Sequence, residues 1–394
     1  MVKNNKIKVL FRHRSMEMGG VEKVMLSLLD NLDREQFEMT VCLNINQGEL
    51  RNEFPEHVRK VYLTPGKEDL SGNAVIRNIQ LIRRRIQLKK IQQQPALADK
   101  ILGELYDIEI AMTYGDFASV LNSTNKNSKK IGWFHSEINL PKLQPLVPGI
   151  LKNFPKFDRM IYCSQKIKDM MHQYYPDLPY PPEEVIINAI PIEEIRKKAE
   201  EPLQLPAAGP IFVSIGRLHS RKGYHKLIDA HTRLIREGFH HTVVVVGDGE
   251  EFKNLQQQIA GNQVTESFIL AGSRMNPYPY VKNADYFILP SESEAWPLVI
   301  AEALILRKPA IATRTGDIPA MIDHGKTGYL ISYETDEMYA SMKKFLTEPE
   351  LVAEIKRNLE NIEEQFDNQK IFAAVEEMIN KLHFTNDALT KKTE

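Results

Sequence analysis

The chain has 394 residues, which at ~100–200 residues per domain suggests two or three domains. Lys and Arg number 51 against 52 Asp and Glu, a net charge of −1, which excludes a globally basic nucleic-acid coat and an acidic disordered chain. Apolar residues at 42% and charged residues at 26% fit a soluble globular protein, and the two cysteines, Cys42 and Cys163, exclude a disulfide framework or a Cys-based zinc site and fit a reducing cytosol.

The N-terminal stretch "MVKNNKIKVLFRHR" starts basic, but its apolar run is cut by Arg12, His13 and Arg14. It reads as a buried strand rather than a secretory signal. Further short β-branched runs follow: "MTVCLN" (39–44), "VYL" (61–63), "IEIAMT" (108–113), "KIGWFH" (130–135), "RMIYCS" (159–164) and "VIINAI" (185–190). In the second half they are "IFVSIG" (211–216), "TVVVVG" (242–247), "FILAG" (268–272), "YFILP" (286–290) and "PAIAT" (309–313). These runs are apolar on both faces and alternate with helical patterns, so doubly wound parallel α/β layers are expected. The stretch 197–210, rich in Pro and charge, reads as the linker. The expected organisation is a first domain over 1–197, a hinge at 198–210 and a second domain over 211–368. A last helix follows over 369–394, crossing back to the first domain and ending in a frayed tail. The longest apolar stretches, "TVVVVG" and "PLVIAEALIL", fall far short of the ~18–20 residues of a membrane span.

Residues 71–100 carry seven basic side chains (Arg77, Arg83, Arg84, Arg85, Lys89, Lys90 and Lys100) against one acid, Asp99. Val75, Ile79, Ile82 and Ile86 recur there at helical spacing, which predicts a basic amphipathic helix. Its apolar stripe is expected to pack on the first domain's sheet. The cations, Arg83, Arg84, Arg85, Lys89 and Lys90 foremost, then form either a solvated face or a surface for an anionic membrane and a lipid-linked acceptor.

Four places can carry chemistry. "VVVVGDGEEF" offers Gly247 and Gly249 but has Phe252 at the third glycine position, so the dinucleotide fingerprint is broken, and no phosphate-loop motif occurs. Gly19-Gly20 open a helix after the first strand, either as an ordinary turn or as a place where free N–H groups meet phosphate. Arg217 and Lys222 follow a buried strand and suit a diphosphate leaving group, whose charge grows as its bond to a sugar breaks. The alternative is a solvated basic turn. Glu294 and Glu302 are separated by seven residues, and Glu302 lies inside an apolar helical run where a carboxylate needs a partner. Ribose hydroxyls are natural partners; a solvent-facing or capping role is the bland alternative.

Taken together these motifs resemble the retaining glycosyltransferases of the GT-B fold, in particular the large family 4 of nucleotide-sugar-dependent enzymes. The likeness is collinear. It runs from Gly19-Gly20 through "WFHSE" with His135, "VIINAI" with Asn188, "GRL…RKG" and "VVVGDGEE" to "ADYFILPS", the Glu-x7-Glu pair and "DHGKTGYLI". The resemblance implies two Rossmann-like domains facing across a cleft. It implies a donor site of Gly19, Gly20, Arg217, Lys222, Glu294, Ala295, Trp296, Pro297, Leu298 and Glu302, and catalytic roles for His135, Arg217, Lys222 and Glu294. Arg217 and Lys222 would bind the diphosphate, Glu302 the ribose, and Glu294 the sugar hydroxyls; His135 would sit near the donor sugar.

Where relatives carry Gly-Phe-Gly after the first glutamate, this chain has Ala295-Trp296-Pro297-Leu298, and Trp296 is expected to narrow the sugar pocket. The co-substrate is a nucleotide diphosphate sugar, UDP-linked rather than GDP-linked. No cofactor, no metal and no nucleic acid is expected. The acceptor is a glycan or a lipid-linked glycan in cell-surface polysaccharide assembly, reached from the cytoplasm at the inner face of the membrane. Other architectures of this kind remain open: a sugar-nucleotide epimerase, a non-catalytic sugar-nucleotide sensor, and a phosphorylase with a pyridoxal cofactor.

Overall fold

The computed structural model describes residues 6–139, 143–205 and 209–390, with side chains through 384. Positions 206–208 of the expected hinge and 391–394 of the expected frayed tail lie outside the described residues. The chain divides into two compact units. One runs to Ala189 and takes up the chain again from Asn368; the other is Ile190–Asp367.

The first unit holds seven strands: β1 (Ile7–His13), β2 (Phe37–Leu43), β3 (Arg59–Tyr62), β4 (Ile108–Ala111), β5 (Lys129–Phe134), β6 (Arg159–Tyr162) and β7 (Glu183–Val185). All pair in parallel, in the order β3-β2-β1-β4-β5-β6-β7. The second unit holds β8 (Ile211–Ile215), β9 (Thr242–Val246), β10 (Phe268–Gly272), β11 (Tyr286–Leu289), β12 (Ala310–Thr313) and β13 (Gly328–Ile331), in the order β10-β9-β8-β11-β12-β13, again parallel throughout. Strands β4, β9, β11 and β12 are buried along their whole length, as strands covered on both faces must be. The expected doubly wound parallel α/β class therefore holds in both units. In each sheet the order reverses at the first strand, so the helices leaving β1 and β4, and those leaving β8 and β11, go to opposite faces and open a crevice at the carboxyl edge.

Four local expectations are corrected. "VIINAI" is strand only at its first residue. β7 ends at Val185 because its neighbour β6 ends at Tyr162, where Ser164 caps a new helix through the amide of Ile167. β13 was not expected; its four residues pair with β12. The basic segment is two helices, α2 (Ala74–Gln93) and α3 (Ala96–Leu102), broken at Pro95, which lacks the donor needed to continue. The stripe on α2 does not pack on the sheet: Val75, Ile79, Ile82 and Ile86 are 69%, 46%, 56% and 61% exposed.

The division between units also falls ahead of 198–210. The helix Ile192–Ala199 goes with the second unit, packing on the helices Tyr278–Asn283 and Leu298–Ile305. Arg196 pairs with Glu363 at 2.5 Å, and the Asn276 side chain donates to the Lys198 carbonyl at 2.7 Å. The helix Asn368–Thr390 belongs to the first unit, where Glu376 accepts from the amide of Asp33 at 2.8 Å.

A buried histidine pair braces the second unit. His231 Nδ1 lies 2.8 Å from His241 Nε2, His231 Nε2 lies 2.9 Å from Ser267 Oγ, and His241 Nδ1 donates to the Phe239 carbonyl at 2.7 Å. Burial lowers both pKa values, that of His231 to about 3. Groups held below their unfolded pKa of about 6.5 contribute stability above that pH and lose it as acid is added. Thermal melts should therefore show Tm falling from pH 6.5 to 5 more steeply in the natural chain than in the His231→Leu/His241→Leu double variant. Equal slopes would show that the pair does not carry acid sensitivity.

Candidate functional site

In the second unit the crevice lies between the carboxyl ends of β8 and β11. The chain leaving β8 carries Arg217 and Lys222, and the chain leaving β11 carries Glu294. The two loops meet. Lys222 Nζ stands 2.5 Å from Glu294 Oε1, which also accepts from Ser291 Oγ at 2.6 Å. The amide of Glu292 donates to the Arg221 carbonyl at 2.7 Å, and Thr313 Oγ1 donates to the Ser291 carbonyl at 2.5 Å. Gly223 has φ +70°, and a Cβ there would collide with the Pro290 carbonyl, so only glycine lets the Lys222 loop lie against the end of β11. Arg217 is different: its side chain is 75% exposed and reaches Glu250 at 3.6 Å.

The glycines of "GDGEE" have a structural purpose. A Cβ on Gly247 would collide with the Gly216 carbonyl, and one on Gly249 with the Leu218 backbone. They let the loop after β9 lie on the loop after β8. The amide of Leu218 donates to the Asp248 carbonyl at 3.0 Å across that contact.

Glu302 sits in the helix Leu298–Ile305 and is 1% exposed. Tyr278 donates to its Oε1 at 3.2 Å; burial first, then the carboxylate's charge, pushes the Tyr278 phenol pKa up, keeping it a donor. Pro297 caps this helix and offers no N–H, so the amides that the stretch after Glu294 can present are those of Ala295, Trp296 and Leu298. Trp296 Nε1 is buried and has no hydrogen-bond partner among the described residues. A buried unpaired donor is costly and suits an acceptor atom of a ligand.

In the first unit the corresponding crevice lies between β1 and β4. Gly19 is the cap residue and Gly20 the first residue of α1 (Gly20–Asn31), with Glu22 in its first turn. His13, the last residue of β1, lies between two carboxylates, with Asp116 Oδ2 3.2 Å from Nδ1 and Glu22 Oε1 3.1 Å from Nε2. Burial opposes its charge, but the two carboxylates outweigh burial and raise its pKa to about 9. Thr113 Oγ1 donates to the same Asp116 oxygen at 2.7 Å.

His135 follows β5 and stacks on Trp133, ring centroids 5.7 Å apart. Phe134 between them packs edge-on against Phe154 and Tyr162, which fixes the end of the strand. Both His135 ring nitrogens are buried without a partner among the described residues, and burial, aided by the charge on His13, lowers its pKa to about 3. Asn188 is buried too, with Oδ1 unpaired among the described residues.

Residues 195–361 match the family model described as Glycosyl transferases group 1. This region is a group 1 glycosyl transferase domain. Arg217, Lys222, Glu294 and Glu302 lie inside it; Gly19, Gly20 and His135 lie in the other unit. Over 168 residues the chain is 29% identical to the N-acetyl-alpha-D-glucosaminyl L-malate synthase of Bacillus anthracis, covering 42% of this chain and 44% of that protein. Over 278 residues it is 24% identical to the putative colanic acid biosynthesis glycosyltransferase WcaL of Escherichia coli K12, covering 67% and 64%. The chain thus spans less than two thirds of the length of both curated relatives. The crystal structure of Anabaena Alr3699/HepE in complex with UDP and glucose is similar over 95% of this chain and 99% of that one, at 20% identity and a TM-score of 0.73. That likeness shows the fold.

Sequence reasoning missed His13, Asp116, Ser291 and Tyr278. His13 had a signal, a charged run directly after an apolar strand, and Asp116 another, an acid soon after β4. Nothing local marks Tyr278 as the partner of Glu302. Imidazole NMR should find His13 protonated at pH 7.5 and His135 neutral throughout pH 8 to 5. In His13→Gln the His135 pKa should rise while staying below the ordinary value, because burial acts first. A His135 that titrates near 6.5 in the natural chain would overturn this electrostatic account.

Proposed function

We propose that the chain is a retaining glycosyltransferase. It moves a hexose from a UDP-sugar to a hydroxyl of a glycan or lipid-linked acceptor in cell-surface polysaccharide or glycolipid assembly. The observation that carries this reading is the meeting of Lys222 with Glu294 at the strand-order reversal of the second sheet, with Arg217 on the same loop and the buried Glu302 one helix further on. The names of the curated relatives and the UDP and glucose of the Anabaena complex support it.

Arg217 and Lys222 bind the diphosphate and stabilise the charge that grows on it as the bond to the anomeric carbon breaks. Lys222 must turn from Glu294 toward phosphate, and that exchange releases the Glu294 carboxylate to accept from sugar hydroxyls. The amides of Ala295, Trp296 and Leu298 and the Trp296 indole N–H donate to sugar and phosphate oxygens. Glu302, oriented by Tyr278, accepts from the ribose. In the first unit, Gly19 and Gly20 leave the start of α1 open to a phosphate, and neutral His135 offers one donor and one acceptor to a sugar hydroxyl. The acceptor hydroxyl attacks on the face from which the phosphate leaves, and a departing phosphate oxygen takes its proton. The step is positioning and electrostatics. Arg217 and Lys222 supply the charge that a metal would bring, so we propose that turnover is independent of metal, and that the protein works on the cytoplasmic side.

A screen of UDP- and GDP-sugars with free and lipid-linked acceptors, read by nucleotide release, tests the reading. Release that requires acceptor, from a UDP-sugar, in excess EDTA, is expected; release without formation of a glycoside would favour an epimerase. Arg217→Ala and Lys222→Ala should each lower turnover ~10²-fold or more. Glu302→Ala should weaken UDP binding in a titration, since each charge-assisted hydrogen bond contributes about 1.5–3 kcal/mol. Natural rates in the first two variants, or an unchanged UDP affinity in the third, would remove those residues from the site.

A further inference from the structure

The helix α2 has two unlike sides. On the inner side Leu81, Leu88 and Ile91 are partly buried, and Ile91 packs against the cluster of Leu10, Cys42, Leu63, Ala98, Leu102 and Tyr106. Polar groups on that side are bonded: Gln87 Nε2 donates to the Leu63 carbonyl at 2.7 Å, Gln80 accepts from the Ser71 amide at 2.9 Å, and Arg84 reaches Gln47 at 3.5 Å. Asn73 caps the helix by accepting from the amides of Val75 and Ile76.

The outer side carries the exposed stripe Val75, Ile79, Ile82 and Ile86. At 3.6 residues per turn these four fall within about 60° of arc, in a row along a helix about 30 Å long. Arg85 and Lys89 flank the stripe on one side and Arg83 and Lys90 on the other, all exposed. The helix holds six basic residues and no acidic one, in a chain whose net charge is −1. No residue of it is fully buried.

We propose that the outer face of α2 is a docking surface for an anionic lipid bilayer, with the helix lying in the plane of the interface. The four isoleucine and valine side chains enter the boundary between headgroups and acyl chains, and the two rows of cations sit at the phosphate level on either side. Charge complementarity selects this occupant. A second copy of the same face would set like charges against each other. A nucleic acid would use the cations but leave four aliphatic side chains in water, with no gain from the stripe. A bilayer with acidic headgroups satisfies both features at once. Among the described residues no helix is long and apolar enough to cross a membrane, so the contact is to one leaflet. The inference goes beyond the transferase reading and its test measures no turnover, so either can fail alone.

The test is co-sedimentation of the full chain with vesicles of phosphatidylcholine mixed with phosphatidylglycerol, beside vesicles of phosphatidylcholine alone. Binding is expected only with the anionic lipid, and it should fall as salt rises from ~0.05 to ~0.5 M. The Arg83→Glu/Arg85→Glu/Lys89→Glu/Lys90→Glu variant should partition about a hundredfold less or lower. The Ile79→Ser/Ile82→Ser/Ile86→Ser variant should lose about tenfold or more while keeping the salt dependence. All seven side chains point outward, so an unchanged Tm confirms that both variants fold. Cys42 and Cys163 are buried, so an environment-sensitive dye on Ile82→Cys reports one site, and its emission should shift to the blue on anionic vesicles. Equal binding to both lipids, no binding, or no effect of either variant overturns the proposal. So does an oligonucleotide that binds equally well to the isoleucine variant while vesicles do not bind, or a dimer in gel filtration that the isoleucine variant breaks.

Discussion

A parallel sheet whose strand order reverses at its first strand leaves one place where two neighbouring loops cannot be covered by their own crossover helices. In the second unit that place lies between β8 and β11, and its chemistry follows from what the chain must do on leaving those strands. After β8 it turns through Arg217 to Lys222 and closes at Gly223, whose positive φ lets the turn touch Pro290. After β11 it turns back through Ser291 to Glu294. The hydrogen bond between Arg221 and Glu292 holds the two turns in register, and Thr313 at the end of β12 anchors Ser291. A lysine and a carboxylate brought together in this way, both mostly buried, pair with each other when no ligand is near.

That self-pairing recurs at the reversal point of the first unit, with different groups. His13 at the end of β1 is charged because Asp116 and Glu22 face it, and Glu22 is in the first turn of α1, where the helix end favours negative charge. Each crevice thus carries a cation compensated by carboxylate. A phosphate entering such a crevice would exchange with a carboxylate, one anion for another, so the cost of uncovering a buried cation would largely be avoided. His135 is the counterpart that no carboxylate reaches. Burial, with His13 nearby, keeps it neutral, so it can present a donor and an acceptor where a charged imidazole would present two donors.

Most of the architecture was legible because parallel strands buried on both faces announce themselves as apolar runs. Twelve such runs were read, and each contains residues of a strand. The misses have physical causes. β13 is short and mixes Gly328 with Tyr329, so its apolar pattern is weak, and it is defined by pairing with β12. "VIINAI" has strand composition but runs past the end of β6, and a strand needs a neighbour. The break between units was placed in a proline-rich stretch, whereas the short helix before it is tied to the second unit by Arg196, Lys198 and their partners, which only folding brings near. Glu302 was legible because a carboxylate inside an apolar helix demands a partner. Its partner Tyr278, 24 residues earlier, was not.

The outward stripe of α2 shows why periodicity alone cannot orient a helix. This helix has apolar residues on two sides, Leu81, Leu88 and Ile91 on one and Val75, Ile79, Ile82 and Ile86 on the other, and the second set is the more regular. Regularity favours the second set for the core; electrostatics decides against it. Turning that stripe inward would carry Arg83, Arg85, Lys89 and Lys90 toward the sheet, and desolvating several cations without carboxylate partners costs more than four aliphatic side chains can return. The inner side brings one cation, Arg84, which reaches Gln47, beside neutral amides, and Gln80 and Gln87 find backbone partners there. Exposure of the stripe is therefore the consequence of the cations that flank it: the same charges that bar it from the protein's own core make it compatible with a surface that is apolar within and anionic at its edge.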